Sequence, residues 1–194
     1  LAGLLLRRDN FSVEETAFAK INLALHVRRR REDGYHALET LFAFVDNGDL
    51  IEVLPGGADS IILSGEFSPQ LTQSQDNIVL DALAAVPHKS PWTVLLDKRL
   101  PVAAGLGGGS AVEGPIFRLI EQSQGLPTDW QARASALGAD VPACVASRTC
   151  IGQGTGTELA PVADDLSGTP VLLVNPRLPL STGPVFRAWD GADR

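Results

Sequence analysis

Residues 100–115 read LPVAAGLGGGSAVEGP, and this stretch limits what the rest of the chain can be. It follows WTVLLDK, which predicts a strand, and precedes Ile116, Leu119 and Ile120, whose spacing predicts a helix. A strand, a glycine-rich loop and a helix in that order make an anion site. Backbone N–H groups converge there, and the helix end adds partial positive charge. Glycine tolerates positive φ and puts no Cβ between the backbone and a phosphate oxygen. Ser110 adds a hydroxyl for a phosphate or a bound magnesium ion. Two common phosphate loops do not fit. GxxxxGK[ST] needs a lysine where Gly109 stands. The dinucleotide fingerprint fits Gly105 and Gly107 but meets Ser110 at its third glycine, and no acid ends a following strand.

Elsewhere strand and helix patterns mix without a regular beat. AFAKINLALHV, from Ala17, has period two. Ala17, Ala19, Ile21, Leu23, Leu25 and Val27 share the face a core would take, while Lys20, Asn22 and His26 project from the other. Asp33-Gly34 marks a turn. TLFAFV and LIEVL flank Asp46-Asn47-Gly48-Asp49, which predicts a hairpin connection, and SIILSG reads as a short strand. Asp76 is the expected cap of a helix over NIVLDALAAV, where Val79, Leu80, Leu83 and Val86 follow helical spacing. WQARASAL predicts a shorter helix closed by Gly138, and VLLVN a strand stopped by Pro176. Pro184 suits the first turn of a last helix capped by Ser181 or Thr182. The expected fold class is therefore α+β rather than a doubly wound sheet. ADDLSG, at 163–168, marks a boundary. Residues 1–16 read as an N-terminal extension, 17–165 as a first domain, and 166–194 as the beginning of an incomplete second α+β domain.

A formal charge of −7 argues against a nucleic-acid or anionic-membrane partner, and no apolar run approaches the ~20 residues that span a bilayer. LAGLLLRRDN places its apolar patch ahead of its arginines, the reverse of a secretory signal, so the cytoplasm is the expected location. The arginines at 28–31 stand beside Glu32 and Asp33 and read as a solvated loop. Cys144 and Cys150 make no disulfide framework, and His26, His36 and His88 lack metal-ligand spacing, so no structural metal is expected. There is no methionine, even at position 1, and the chain stops at FRAWDGADR; it reads as a fragment or trimmed product. A monomer and a homodimer both stay open.

PVAAGLGGGS resembles the phosphate-binding motif of the GHMP small-molecule kinases. AKINLALHV, DGYHALETLF, QDNIVL, LGADVP and VNPRLPLST followed by VF occur in the family's order, from about Ala17 to Trp189. The resemblance implies the family's N-terminal ATP-binding domain, a mixed sheet with helices of the ribosomal-protein-like α+β type. It also implies transfer of the γ-phosphoryl of ATP, with Mg2+, to a hydroxyl of a small molecule. Together the motifs resemble the branch whose substrate is a cytidine diphosphate-linked methylerythritol, in non-mevalonate isoprenoid synthesis, and DGYH argues against a sugar or mevalonate-type kinase. By resemblance, Asp140 is the base for the acceptor hydroxyl, and Lys20 lies beside it and draws developing charge. Asn77, Lys98, Pro101 and Ala104 belong to the nucleotide pocket with the loop itself: Gly105, Leu106, Gly107, Gly108, Gly109 and Ser110. Asn22 and Thr182 contact the substrate, Tyr35 and Phe186 stack on its cytosine, and His36 hydrogen-bonds the base edge. Plainer readings stand beside these: Asp140 as a capping residue, Lys20 on a solvated face, Lys98 as a surface lysine, Phe186 in the core.

Two places depart from the family pattern. After Ser110 the family shows small residues, whereas this chain has Ala111, Val112, Glu113, Gly114 and Pro115. Gly114 and Pro115 cost about 1 and ~3 kcal/mol inside a helix. One resolution starts the helix at Pro115, which moves its positive end away from the loop and leaves Glu113 as a stand-in acid. The chain also stops before the family's C-terminal glycine-rich motif. A non-catalytic relative that keeps the fold and nucleotide binding is therefore the alternative to an ATP-dependent kinase.

Overall fold

The computed structural model describes residues 12–71, 73–102, 104–163, 166–176, 180 and 182–193, with the backbone alone at 73–77 and 108. Two long antiparallel strands form its spine, β1 (Val13–Arg30) and β2 (His36–Pro55). They meet at the Asp33-Gly34 turn, where Gly34 has φ +84° and Asp33 accepts a hydrogen bond from the Tyr35 amide at 3.1 Å. On the edge of β2 away from β1, residues 50–55 pair with β4 (Trp92–Asp97) and 38–42 with β5 (Cys150–Gly154). β3 (Ser60–Ser64) and β6 (Glu158–Pro161) complete the order β3-β4-β2-β5-β6. The β3–β4 pair is parallel, bridged by α1 (Gln73–Ala85), and the other pairs are antiparallel. The mixed sheet carries helices α2 (Gly108–Gln124), α3 (Trp130–Leu137) and α4 (Val141–Ala146), and α5 (Thr182–Arg187) lies near the chain end. This is the expected α+β class.

The core lies between one sheet face and the helices. Ile51, Val53, Val94 and Leu96 of the sheet meet Val79 and Leu83 of α1 and Ile116, Phe117 and Ile120 of α2. Each fully buried side chain of this size contributes about 1.5–3 kcal/mol. This packing is what fixes α2, and with it the glycine loop, against β1.

Several expectations give way. Residues 46–49 make no hairpin, because β2 runs straight through them. The ladder shifts between Phe18↔Gly48 and Lys20↔Phe44, so Asp46 and Asn47 bulge into solvent while the strand continues. A Cβ on Gly48 would run into the carbonyl of Ala17, which is why glycine stands there. The six-residue core face of β1 also stops early: Ala17 and Ala19 are buried, but Leu23 and Leu25 are 48% and 43% exposed. A second register shift, between Asn22 and Ala24, reverses the alternation, so Lys20, Asn22 and then Leu25 point to one cavity.

β1 begins at Val13, inside the segment read as an extension, and α1 begins at Gln73, ahead of Asp76, so Asp76 is not its cap. The VLLVN stretch forms no strand, since no described strand pairs with it, and Leu172 and Val174 are 87% and 83% exposed. Pro184 does lie in the first turn of α5, while Ser181 falls outside the described residues. Nor does a helix start at Pro115. α2 opens at Gly108, capped by left-handed Gly107, and carries Pro115 inside it. Pro115 is fully buried, which offsets part of its cost, and Gly114 lies where α2 touches α4: a Cβ there would be 2.5 Å from the carbonyl oxygen of Cys144. The glycine of the unusual SAVEGP run thus stands where two helices cross closely.

Candidate active site

The loop that ends in α2 is shaped by two left-handed glycines, Gly105 at φ +75° and Gly107 at φ +72°. A Cβ on Gly105 would meet nothing within 4 Å, whereas one on Gly107 would sit 3.2 Å from the Cβ of Lys20. The Lys20 amide donates to the carbonyl of Leu106 at 3.2 Å, which ties the loop to β1. The first amides of α2 have no partner within the helix and open the positive end of a 17-residue helix beside that loop. Ser110 is on its first turn, with its hydroxyl against Gly138, just before Asp140.

Lys20 and Asp140 meet. Nζ of Lys20 donates to Oδ2 of Asp140 at 2.8 Å and to Oδ1 of Asn22 at 3.2 Å, and it lies 4.8 Å from the centre of the Phe42 ring. Asn22 donates onward to the Thr40 hydroxyl at 2.7 Å, and Thr40 to the carbonyl of Ala24 at 2.8 Å. Lys20 is 4% exposed, so the solvated-face reading fails. Asp140 is at the N-cap position of α4 but makes no capping bond with its side chain. Its carboxylate, 37% exposed, is held by Lys20 on one side and opens to the cavity on the other.

That cavity has a volume of about 710 Å³, within the range of small-molecule sites. Lys20, Asn22, Lys98 and Asp140 line it, as do Ala104, Gly105, Gly107, Gly109 and Ser110 from the loop region. Thr182 and Phe186 reach it from α5. Pro101 and Leu106 belong to the loop without lining the cavity, and the Asn77 side chain lies outside the described residues. Tyr35 is not brought in: it is 64% exposed on its turn. His36 is buried behind Phe186, ring on ring at 5.6 Å, with Trp189 edge-on at 5.7 Å. Its Nε2 has no hydrogen-bond partner among the described residues.

Lys98 is no surface lysine. It is 2% exposed and donates to Asp49 at 2.6 Å and to the Leu100 carbonyl at 2.8 Å. Asp49 also accepts from the amides of Arg99 and Leu100, at 2.7 and 2.8 Å, so the pair fixes the entry to the loop. Asp49, Thr40 and Phe42 went unread in the sequence; Thr40 and Phe42 lie inside the quoted DGYHALETLF run, while Asp49 looked like a turn residue. Glu113 does not stand in at the loop. It is 5% exposed, away from the cavity, and burial, aided by the charge of Asp81, raises its pKa to about 7. Burial, with Asp140 second, pushes the Cys144 thiol far above its usual range, so it is no nucleophile.

The cradle of positive-φ glycines, the helix end and the buried ammonium fit a nucleotide's phosphates. For a divalent ion the protein offers little: among the described residues no group of three or more His, Cys, Asp or Glu side chains could hold a metal. Ser110 is the neutral oxygen donor at the loop. Among the described residues no helix is long and apolar enough to cross a membrane.

No family model matches the chain. It is 66% identical over 183 residues to the 4-diphosphocytidyl-2-C-methyl-D-erythritol kinase of Novosphingobium aromaticivorans, covering 94% of this chain and 64% of that protein. It is 52% identical over 194 aligned positions to the enzyme of that name from Sphingopyxis alaskensis, covering 94% of this chain and 68% of the relative. The chain therefore spans about two thirds of the length of these relatives. A crystal structure of 4-(cytidine 5'-diphospho)-2C-methyl-D-erythritol kinase superposes with a TM-score of 0.62 at 36% identity, covering 78% of this chain and 55% of that one.

Proposed function

The chain belongs to the 4-diphosphocytidyl-2-C-methyl-D-erythritol kinase family, and on that premise we propose that its cavity passes the γ-phosphoryl of ATP to a hydroxyl of 4-diphosphocytidyl-2-C-methyl-D-erythritol. Its fold is that of the N-terminal domain of GHMP kinases. One observation carries the proposal: a buried ammonium and a carboxylate 2.8 Å apart, beside a glycine cradle at a helix N-terminus.

ATP supplies the phosphoryl group, and the chain supplies position and charge. The amides at the start of α2 and the backbone around Gly105 and Gly107 hold phosphate oxygens. Lys20 opposes the negative charge of the transferring group, and its bonds to Asn22 and Asp140 fix where that charge is met. Asp140 takes the proton of the acceptor hydroxyl through the side open to the cavity. Ser110 would be the protein's oxygen donor to a magnesium ion, which would supply positive charge against the phosphates. Phe42 and Val112 keep the floor of the site apolar. At the far end Phe186 offers a face to the cytosine, while His36, buried behind it and outside the cavity lining, reaches the base edge only if Phe186 shifts. Tyr35 reaches the base only if its turn moves inward.

The test is ADP release in the presence of the cytidylylated methylerythritol and magnesium, in the full-length protein. Asp140→Asn should lower kcat by about 10²–10⁴, the worth of a general base, while ADP still binds. An Asp140→Asn protein that turns over like the wild type overturns the assignment. The family comparisons support the kinase reading over a non-catalytic relative.

A further inference from the structure

The site joins three segments far apart in sequence: β1 with Lys20, the loop that opens α2, and the start of α4 with Asp140. A single side chain on α2 reaches the other two. Nη1 of Arg118 donates to the carbonyl of Cys144 at 2.7 Å, and Nη2 donates to the carbonyl of Thr16 at 2.9 Å. Nε and Nη2 also meet Oε2 of Glu15, at 3.2 and 3.1 Å, and Gln122 holds the other oxygen of Glu15 at 2.9 Å. The Arg118 side chain is 16% exposed, so these bonds form largely out of water.

The bonds lead straight to the couple. Cys144 is in the last turn of α4, where carbonyls lack donors from their own helix. Its own amide donates to the carbonyl of Asp140 at 3.0 Å, so one helical turn separates the Arg118 contact from the Asp140 backbone. Thr16 is four residues before Lys20 on the same strand. Gly114, one turn before Arg118 on α2, is where a Cβ would come within 2.5 Å of that same Cys144 carbonyl. Backbone contact at Gly114 brings α4 close, and Arg118 fixes it there.

We propose that Arg118 is a positioning residue for phosphotransfer: by bonding the Cys144 and Thr16 carbonyls from α2, it sets where Asp140 and Lys20 stand relative to the phosphate-binding amides. The inference rests on the assignment of that couple above. Arginine suits the task because its planar fork donates in several directions at once. A lysine can meet Glu15 or one carbonyl but cannot span both. Misplacing reacting groups by about 1 Å costs on the order of 10²-fold in rate.

The test compares Arg118→Lys, Glu15→Gln and Asp140→Asn in the full-length protein, with hydrogen exchange measured alongside kinetics. Arg118→Lys should lower kcat by about 10–100-fold and leave KM for ATP within about twofold, since the phosphate amides on α2 are untouched. Exchange should quicken in α4 more than in the second half of α2. Glu15→Gln keeps both carbonyl bonds and should retain kcat. The inference is overturned if Arg118→Lys keeps wild-type kcat. It is equally overturned if kcat and KM worsen together with exchange raised evenly along α2, the mark of general loosening. Arg118→Gln, which keeps one amide donor, is judged by the same criteria where the lysine variant does not fold. An active Asp140→Asn sinks the phosphotransfer reading itself; an inactive one beside a fully active Arg118→Lys removes only the role given to Arg118.

Discussion

Glu113 occupies the second turn of α2 with 5% of its surface exposed, and burial, then the charge of Asp81, lifts its pKa from 4.5 to about 7. The folded state therefore holds this proton more tightly than the unfolded chain does. Below about pH 4.5 both states are protonated and nothing is lost. As pH rises toward 7 the unfolded chain ionises first, so stability falls, and above 7 the deficit stays constant at up to about 3 kcal/mol. Glu113→Gln should then raise the urea midpoint at pH 8 by an amount corresponding to ~1–3 kcal/mol and change it little at pH 4.5. An equal shift at both values would show that the carboxyl is not strained by its charge. Gly107 makes a second case. An alanine there would adopt φ +72° at a cost of ~1–2 kcal/mol and place its Cβ 3.2 Å from that of Lys20. Gly107→Ala should weaken ADP binding by about tenfold in calorimetry, and undiminished affinity would mean that phosphates are held elsewhere.

Among the elements, the link between β2 and the glycine loop depends on one buried ion pair, Lys98 with Asp49. Removing one partner strands the other charge, so Lys98→Met should destabilise the protein by about 3–5 kcal/mol, and Lys98→Met/Asp49→Asn by clearly less. Additive losses in denaturant titrations would show that the two do not act as a pair. Asp49 also shows where reading the sequence failed. Asp-Asn-Gly-Asp has the composition of a turn, and nothing local reveals that a lysine 49 positions on will neutralise its last residue inside a continuous strand. The alternation in AFAKINLALHV was legible as a strand, yet the register shift at Leu23 was not, because a bulge is set by the partner strand. β5, interrupted by glycine, and β6, only four residues long, carried too little pattern to find. The glycine loop, Lys20 and Asp140 could be singled out because their motifs resemble those of the family, and the structure brings all three to one cavity. Arg118 could not be, since its partners are carbonyls, which any sequence supplies.

At the scale of the whole molecule, the cavity draws on residues from Lys20 to Phe186, so its two ends depend on different parts of the chain. The end beside the glycine loop rests on the packed sheet and helices. The end lined by Phe186 leans on α5, which is held by His36 against Phe186 and Trp189 and by Arg28 paired to Asp193 at 2.8 Å. Between the packed part and α5 runs the stretch with Val171, Leu172 and Val174 at 50%, 87% and 83% exposure, and among the described residues no strand pairs with it. Exposed apolar side chains in a row are a surface for association with another copy. In sedimentation velocity the 194-residue chain should therefore show a mass that climbs above 20.5 kDa as its concentration rises. Leu172→Lys/Val174→Lys should hold it at the monomer mass. Because neither side chain packs against the core, the double variant should melt within a degree or two of the parent, roughly the shift of under 0.5 kcal/mol seen for surface changes. Association that persists in the double variant would place the sticky surface elsewhere, and a large fall in melting temperature would mean that this stretch packs after all.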